Sequence, residues 1–279
     1  MIISDAAKCF LEFHRNNSKK NTIKYYTFII SHFERYFSER ELGSIKPEDL
    51  LQFLTYLTNG NKQNTKNSRY TVIKSFFNFF RETMNLDIRN PCDATILKKT
   101  FRSARKASWP ILDKDIVDEA IFRTSKTRNR LLLELMARAG MRISEVLKIK
   151  PMDIDGRKIT LEAPKSGRQQ EIVYISQKLS DKIQNHIRSK KIKDNERIFP
   201  LSYSGGRKIV AKAGEMVGVK IRPHDLRRFA ATYASRSGVP IEIISKVILR
   251  HSNLATTELY LGKVTDNEAL KWIENLYGY

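Results

Sequence analysis

Four segments in the first ninety residues carry apolar side chains at the spacing of an α-helix, and this pattern most constrains the fold. The first predicted helix has its N-cap at Ser4 and ends at about Asn16, and the second begins at Asn21 or Thr22 and continues through Phe37. The third begins at Pro47, and the fourth runs from about Thr65 to Thr83. The apolar faces contain Ala7, Phe10, Leu11 and Phe13, then Leu50, Phe53, Leu54 and Leu57, then Val72, Ile73, Phe76, Phe77 and Phe80. Since each helix must bury one apolar stripe, we expect a small helical bundle with a basic solvent face.

The second half mixes helical and strand patterns. We expect helices over residues 112–122 and 128–140, the latter ending at Gly140, and a hairpin whose turn spans Pro164 to Arg168. The hairpin strands contain Ile159 and Leu161, then Ile172, Val173 and Ile175. Further helices are predicted at 179–189, 224–237, 241–249 and 266–277. The predicted fold class is mainly α with a small antiparallel β-sheet.

A basic stretch separates the two halves. It runs from Asn90 to Pro110, and Pro91 is expected to end a helix. Its cations stand without an intervening acid: Lys98, Lys99, Arg102, Arg105 and Lys106. We expect an extended linker, either a solvated tether or a segment that crosses a phosphate backbone. The predicted domains are a helical domain at 1–97, a linker at 98–109 and an α+β domain at 110–279.

Charge is the strongest signal in the composition. The 279 residues include 51 Lys and Arg against 30 Asp and Glu, a formal net charge of +21. Basic residues spread along the chain favour a long polyanion such as nucleic acid, and an anionic membrane surface is the alternative. No apolar stretch approaches the length of a membrane span. Two widely spaced cysteines, Cys9 and Cys92, and a start without a basic n-region lead us to expect a cytoplasmic protein with reduced thiols.

Two pairs of residues combine an arginine with a second polar group three positions away. Arg142 follows the predicted glycine stop, and Glu145 lies on the same helical face. His224 and Arg227 follow Pro223 directly. A guanidinium offers phosphate a planar fork, and an imidazole offers a movable proton. Taken singly, the first pair is typical of a surface ion pair, and the second is a weak signal.

Three further residues are candidates for a reactive site: His251, Tyr260 and Lys165. His251 and Tyr260 lie nine positions apart, joined by a threonine-containing stretch that we expect to act as a connection. A phenol with a pKa near 10 needs a base or cationic neighbours to act as a nucleophile, and a tyrosine alone is typical of a core or rim position. Lys165 lies in the hairpin turn, where it is either a solvated lysine or a proton donor to a leaving alkoxide.

The order of these residues resembles that of the tyrosine recombinases, the phage integrase family that includes the Xer recombinases. The strings that carry the resemblance are GMRISEVLKI, PKSGRQQEIVYI, PHDLRRFAATY and LRHSNLATTELYLG, which fall within residues 110–265. The first hundred residues, with NTIKYYTFIISHF, resemble the SAM-like core-binding domain of that family. The whole is similar to the compact Xer type.

The resemblance implies a site-specific recombinase that cleaves and rejoins duplex DNA through a 3′-phosphotyrosine. Tyr260 would attack the phosphodiester, while Arg142, Arg227 and His251 would hold its non-bridging oxygens. Lys165 would protonate the leaving 5′-oxygen, His224 would accept the tyrosine proton and Glu145 would steady the arginines. No metal ion, ATP or other cofactor is implied, and the sequence contains no P-loop and no carboxylate cluster spaced for two Mg²⁺ ions.

One position departs from the family pattern: Arg250 stands where a glycine usually precedes the second histidine. We expect it to need room and to shift His251 slightly.

The C-terminal helix at 266–277 either packs on its own domain or, as the resemblance implies, on a neighbouring protomer. The implied partners are duplex DNA and further copies of the chain, a homodimer in solution or on DNA and a tetramer in the synaptic complex, with no membrane partner. Chromosome dimer resolution and mobile-element integration both fit, as does a nucleoid-associated location. The alternatives are a type IB topoisomerase, which uses the same chemistry, and a catalytically inert DNA-binding module.

Overall fold

The computed structural model describes residues 1–104, 111–162 and 170–261. The chain divides into two compact units, Met1–Ala107 and Ser108–Tyr279, each with an apolar core of its own. The architecture is mainly helical with one small antiparallel sheet, which confirms the predicted fold class. Within the described ranges, no helix is both long enough and apolar enough to cross a bilayer.

Helices build the described part of the first unit. Their bounds are Ile3–Asn17 (α1), Lys20–Phe37 (α2), Pro47–Leu57 (α3), Gln63–Asn78 (α4) and Thr95–Thr100 (α5). Pro47 occupies the first position of α3, where its missing N–H costs nothing. Helix α2 starts one residue before the predicted Asn21, and α4 continues into a π-helical turn over Phe79–Thr83.

Phenylalanine rings fill the core of this unit. Phe33 on α2 is fully buried, and its ring centroid lies 5.3 Å from that of Phe53, 5.4 Å from Phe76 and 6.0 Å from Phe77. All three pairs meet edge to face, the arrangement that brings a positive ring edge against a negative ring face. The predicted inward faces of α3 and α4 are therefore buried around one centre, and Phe33 joins α2 to them.

The start of α1 differs from the prediction. Ser4 lies inside the helix and does not cap it, since the Ile3 amide donates to the carbonyl of Arg40 (2.9 Å) and the Ser4 amide to that of Ser38 (3.3 Å). Backbone carbonyls more than thirty residues away in the sequence thus take the place of a side-chain cap. Phe13 was expected to face inward but is 39% exposed, because it lies at the rim of the aromatic core.

The stretch predicted as an extended linker is largely folded. Pro91–Asp93 forms a 3-10 turn, so Pro91 begins an element rather than ending one, and α5 follows directly. Leu97 and Phe101 are buried in the core of the first unit. The expectation of extended chain is therefore wrong as far as Phe101, because two apolar anchors one helical turn apart outweigh the surrounding cations.

The predicted basic residues are exposed wherever the structure describes them. Lys98 and Lys99 lie on α5, and Arg102 follows it. The carbonyl of Arg102 accepts a hydrogen bond from the Gln63 side chain (2.9 Å), which ties this end of the segment to α4. Arg105 and Lys106 lie outside the described residues.

The second unit surrounds its core with helices and one sheet. The helices are Lys114–Arg123 (α6), Thr127–Arg138 (α7), Ile143–Val146 (α8), Gln177–Lys190 (α9), Tyr203–Glu215 (α10), Pro223–Arg236 (α11), Ile241–Ile243 (α12) and Leu254–Leu261 (α13). The helix expected at 241–249 is a single α-turn that passes into a π-helical turn over Ile244–Ile248. The predicted helix at 266–277 lies outside the described residues.

Two helices of the second unit were not predicted. Helix α10 starts at a Ser202 cap and contains two consecutive glycines, which lower helix propensity. A Cβ on Gly206 would lie 2.9 Å from Ile143, so close packing on α8 explains this glycine. Helix α13 occupies most of the stretch expected to connect His251 to Tyr260.

The sheet has three antiparallel strands, Ile154–Asp155 (β1), Lys158–Glu162 (β2) and Gln170–Tyr174 (β3). Burial alternates along β2 and β3, so Ile159 and its partner Val173 face the core, whereas Ile172 is 44% exposed. Glu171 lies opposite Leu161 on the same buried face. The period of two along a strand thus brings one carboxylate into the interior.

Gly140 brings the end of α7 against the turn that follows α12. Its φ of +60° is the left-handed conformation of a glycine helix stop. A Cβ at this position would lie 2.9 Å from both the Cγ2 and the carbonyl oxygen of Ile248. Any side chain at 140 would therefore push apart two backbone segments more than a hundred residues apart.

We expect Gly140→Ala to lower the free energy of unfolding more than Gly218→Ala does. Gly218 has a φ of +70°, but a Cβ added there would meet no atom within 4 Å, so its substitution incurs only the left-handed backbone cost of about 1–2 kcal/mol. Gly140→Ala adds overpacking of about 1–3 kcal/mol. Urea denaturation followed by circular dichroism measures both losses. Equal losses would contradict the close approach.

Candidate active site

Arg142 and Glu145 lie at the start of α8, immediately after Gly140. The Arg142 amide donates to Glu145 Oε2 (2.8 Å), and its Nη1 donates to Glu145 Oε1 (2.5 Å). The arginine side chain is 18% exposed and the carboxylate 8%. The carboxylate of Glu145 therefore accepts from both the backbone amide and the guanidinium of Arg142, and part of that guanidinium still reaches the surface.

Arg227 projects from α11 into the interior and is 1% exposed. Its Nη1 donates to the carbonyl of Gly140, and its Nη2 donates to the carbonyl of Leu249. These two acceptors belong to the end of α7 and to the segment that leads into His251. The guanidinium thus joins three parts of the chain, and its orientation is fixed by both bonds.

A chain of hydrogen bonds holds His251, which is 9% exposed. Its Nδ1 lies 3.0 Å from the hydroxyl of Thr257 on α13, and that hydroxyl donates to Ser245 Oγ (2.9 Å). The His251 amide also donates to the Ser245 carbonyl (2.9 Å). Both the backbone and the ring of His251 are therefore anchored, and the anchoring residue Thr257 is itself fully buried.

Three arginines act on this imidazole. Burial lowers the pKa of His251, and the charges of Arg227, Arg142 and Arg250 lower it further, to about 4. Arg250 precedes the histidine in the chain, Arg227 donates to the carbonyl of Leu249, and Glu145 accepts from both Arg142 and Arg250. Residues from three separate segments therefore converge, since Arg250 and His251 are neighbours in the chain, and the histidine among them is neutral at pH 7.

Arg250 is the position where the sequence departs from the family pattern. Its φ of +52° is the left-handed conformation in which glycine is usual, and its side chain is 1% exposed. Nη2 donates to Glu145 Oε2 (2.8 Å), and Nε lies 3.4 Å from Glu171 Oε2. The arginine therefore turns away from solvent and pairs with two carboxylates.

Glu145 thus binds two arginines at once. Burial by itself would raise the pKa of this carboxyl, but the charges of Arg250 and Arg142, with the hydrogen bonds from Arg142, lower it overall. Sequence reasoning gave neither Arg250 nor Glu171 a part in the site. The sequence did contain one signal that Glu171 is buried. Side chains alternate between the two faces of β3, and Glu171 falls on the inward face, opposite Leu161.

The remaining predicted site residues are placed less completely. His224 is exposed in the first turn of α11, one turn before the buried Arg227. Lys165 lies outside the described residues. The backbone of Tyr260 lies in α13, and its side chain is outside the described part of the structure.

The sequence profile of the phage integrase family matches residues 113–266, and the profile of an N-terminal SAM-like domain of phage integrases matches residues 7–89. The chain belongs to the phage integrase family. It is therefore a tyrosine recombinase, a member of a class of DNA strand-transferring enzymes. This confirms the family that the sequence resemblance implied. The tyrosine recombinase XerA of Pyrococcus horikoshii is 29% identical over 93% of this chain and 90% of its own length.

Solved structures share the fold at lower identity. The Tn1549 transposon integrase in complex with a circular intermediate DNA superposes with a TM-score of 0.78 at 17% identity, covering 99% of each chain. A lambda integrase dimer bound to a COC′ core site gives a TM-score of 0.75 at 16% identity, covering 95% of this chain and all of the other. At these identities the structures establish the two-domain fold.

We expect the stability of the protein to fall in acid through Glu145. Its lowered folded-state pKa stabilises the protein above the ordinary value of 4.5, and this contribution is lost as pH falls through the folded-state pKa. Glu145→Gln should cost about 3–5 kcal/mol at pH 7, since it leaves buried arginines uncompensated, and the deficit should shrink as pH falls below 4.5. Urea denaturation across pH measures this. The exposed Glu215→Gln serves as control, and a deficit independent of pH would contradict the assignment.

The His251 ring should titrate with a midpoint of about 4, well below the ordinary 6.5 of histidine. The reason is its burial beside three arginines. Nuclear magnetic resonance of histidine-labelled protein follows the ring carbons, and the His251→Gln spectrum identifies the signal. A midpoint near 6.5 would mean that the arginine charges do not converge on this ring.

Proposed function

We propose that the chain is a site-specific recombinase that cuts and rejoins duplex DNA through a 3′-phosphotyrosine at Tyr260. The observation that carries the proposal is the convergence of Arg142, Arg227 and His251 from separate segments into one cationic cluster. Arg227 donates to the carbonyls of Gly140 and Leu249, which lie two residues before Arg142 and His251 respectively. Such a cluster suits the negative charge that develops on a phosphodiester under attack. The spacing of α13 supports Tyr260 as the nucleophile, since it follows Thr257, the partner of His251, by one helical turn.

In this reaction Arg142 and Arg227 bind the non-bridging oxygens of the scissile phosphate. His251 is neutral in the free protein, and the arriving negative charge offsets the repulsion of the arginines, which lets the ring gain a proton and donate to the same oxygens. Removing one donor of this kind typically costs about a hundred- to a thousandfold in rate. Glu145 keeps Arg142 oriented.

The bond changes balance without an external energy source. Tyr260 loses its phenolic proton to His224 and forms a bond to phosphorus, while the bond from phosphorus to the 5′-oxygen breaks. Lys165 gives its proton to that oxygen, which leaves as a hydroxyl. Attack by a 5′-hydroxyl of the partner strand reverses each step and releases the tyrosine. We propose these roles from the family pattern, and the use of no metal ion or cofactor stays a prediction.

Duplex DNA is the proposed partner of both units. The net charge of +21 supports this, as do the exposed Lys98, Lys99 and Arg102 at the end of the first unit. The Tn1549 and lambda integrase structures contain DNA, and the latter is a dimer. We propose dimers on DNA and a synaptic tetramer linked through residues 266–277. The domain roles proposed from the sequence, with a linker at 98–109, remain part of this proposal.

The test of this function is covalent capture of DNA. Wild-type protein, Tyr260→Phe and the matched control Tyr233→Phe are incubated with fragmented genomic DNA of the source cell, and denaturation-resistant adducts are sequenced. Nicked duplexes carrying the recovered site are then used to trap the intermediate, whose peptide is mapped by mass spectrometry. Wild type and Tyr233→Phe should form the adduct at Tyr260, and Tyr260→Phe should bind DNA without forming it.

Two results would contradict the proposal. An adduct from Tyr260→Phe would identify another nucleophile. Adducts distributed over all sequences, together with relaxation of supercoiled plasmid, would indicate a topoisomerase rather than a site-specific recombinase.

A further inference from the structure

Arg250 has no place in the reaction proposed above, yet it is among the most deeply buried charged residues of the second unit. We propose that Arg250 is a positioning residue, which neutralises Glu145 and Glu171 so that the guanidinium of Arg142 remains available to the scissile phosphate. This inference rests on the proposed function. The side chain of Arg250 is 1% exposed, and its guanidinium faces Glu145 and Glu171.

The backbone of Arg250 directs its side chain inward. At a φ of +52° a residue with a Cβ is disfavoured, and contacts around it must offset that strain. Nη1 donates to the Ile248 carbonyl (2.8 Å), Nη2 to Glu145, and Nε faces Glu171. The guanidinium therefore spans from the turn before His251 to α8 and β3.

Glu171 explains why a cation is needed here. Its side chain is 2% exposed, and neither carboxylate oxygen has a hydrogen-bond partner among the described residues. In that part of the chain, Arg250 is the only cationic side chain within 4.0 Å of it. A buried carboxylate without compensation is costly, and its field extends far in an interior of low dielectric.

Charge balance links this pair to Arg142. The connected groups are two arginines, Arg142 and Arg250, and two carboxylates, Glu145 and Glu171. Glu145 divides its charge between both arginines, and among the described contacts Arg142 uses only Nη1 of its guanidinium. Without Arg250, Glu145 would act on Arg142 alone, and Glu171 would add an unpaired negative charge. Both effects oppose binding of a phosphate.

The test combines Arg250→Gly with a second substitution. Glycine tolerates the left-handed backbone, so this change removes the guanidinium without adding strain. We expect the rate of single-turnover adduct formation on the nicked duplex to fall about 100-fold, as for a misplaced catalytic group. Adding Glu171→Gln should recover at least about tenfold of that rate, because it removes the uncompensated charge. Adding Glu162→Gln, an exposed carboxylate on β2, should recover none.

A purely structural role predicts a different result. In that case Glu171→Gln would recover no more rate than Glu162→Gln, and this outcome would overturn the proposal. An undiminished rate in Arg250→Gly would overturn it too. Arg250→Lys, which keeps the charge, should retain more activity than Arg250→Gly, and circular dichroism establishes that each variant is folded.

Denaturation separates this inference from the proposed function. The urea midpoint of Arg250→Gly should rise when Glu171→Gln is added, whereas the same change in the wild type should lower the midpoint. Additive shifts would overturn the pairing whatever the activity. Non-additive shifts with no adduct from the wild type would leave the ion pair standing but overturn the recombinase function, and with it the part given to Arg250 in cleavage.

Discussion

The guanidinium of Arg227 is the interaction on which the geometry of the site depends. It donates to the carbonyl of Gly140 at the end of α7 and to that of Leu249 before His251. Those carbonyls come from segments more than a hundred residues apart, and Gly140 allows them to meet because a Cβ there would overlap Ile248. A charged group buried in this way is favourable only when its donors are well placed, so the fold and the site are specified together.

Electrostatics follow from that convergence. Burial and the charges of the nearby arginines lower the pKa of His251 to about 4, so the ring is neutral at pH 7. Buried carboxylates limit the repulsion among the cations: Glu145 pairs with Arg142 and Arg250, and Glu171 pairs with Arg250. The carboxylates partly neutralise the cluster of arginines, which limits the free-energy cost of burying it. No single ion pair is sufficient for this balance of charge, since a buried carboxylate or arginine is costly when its partner is absent.

Local pattern predicted most helices of both units, because the spacing of apolar residues reports directly which face will be buried. The prediction failed where contacts with distant parts of the chain decided the local structure. The start of α1 is satisfied by carbonyls near residue 40, so Ser4 is not a cap. Leu97 and Phe101 fold a basic stretch onto the first core. The glycine pair of α10 suggested no helix, although close packing on Ile143 explains Gly206.

The sequence alone determined the family and predicted the residue types of the candidate site, because the order of arginines, histidines and a late tyrosine is a property of the chain itself. It could not show the role of Arg250, which it marked only as a replaced glycine. Tertiary structure decided that this side chain points inward to Glu145, 105 positions away, and to Glu171. The physical reason is that backbone conformation and charge compensation at a buried position depend on which distant segments pack there, and local spacing carries no information about that.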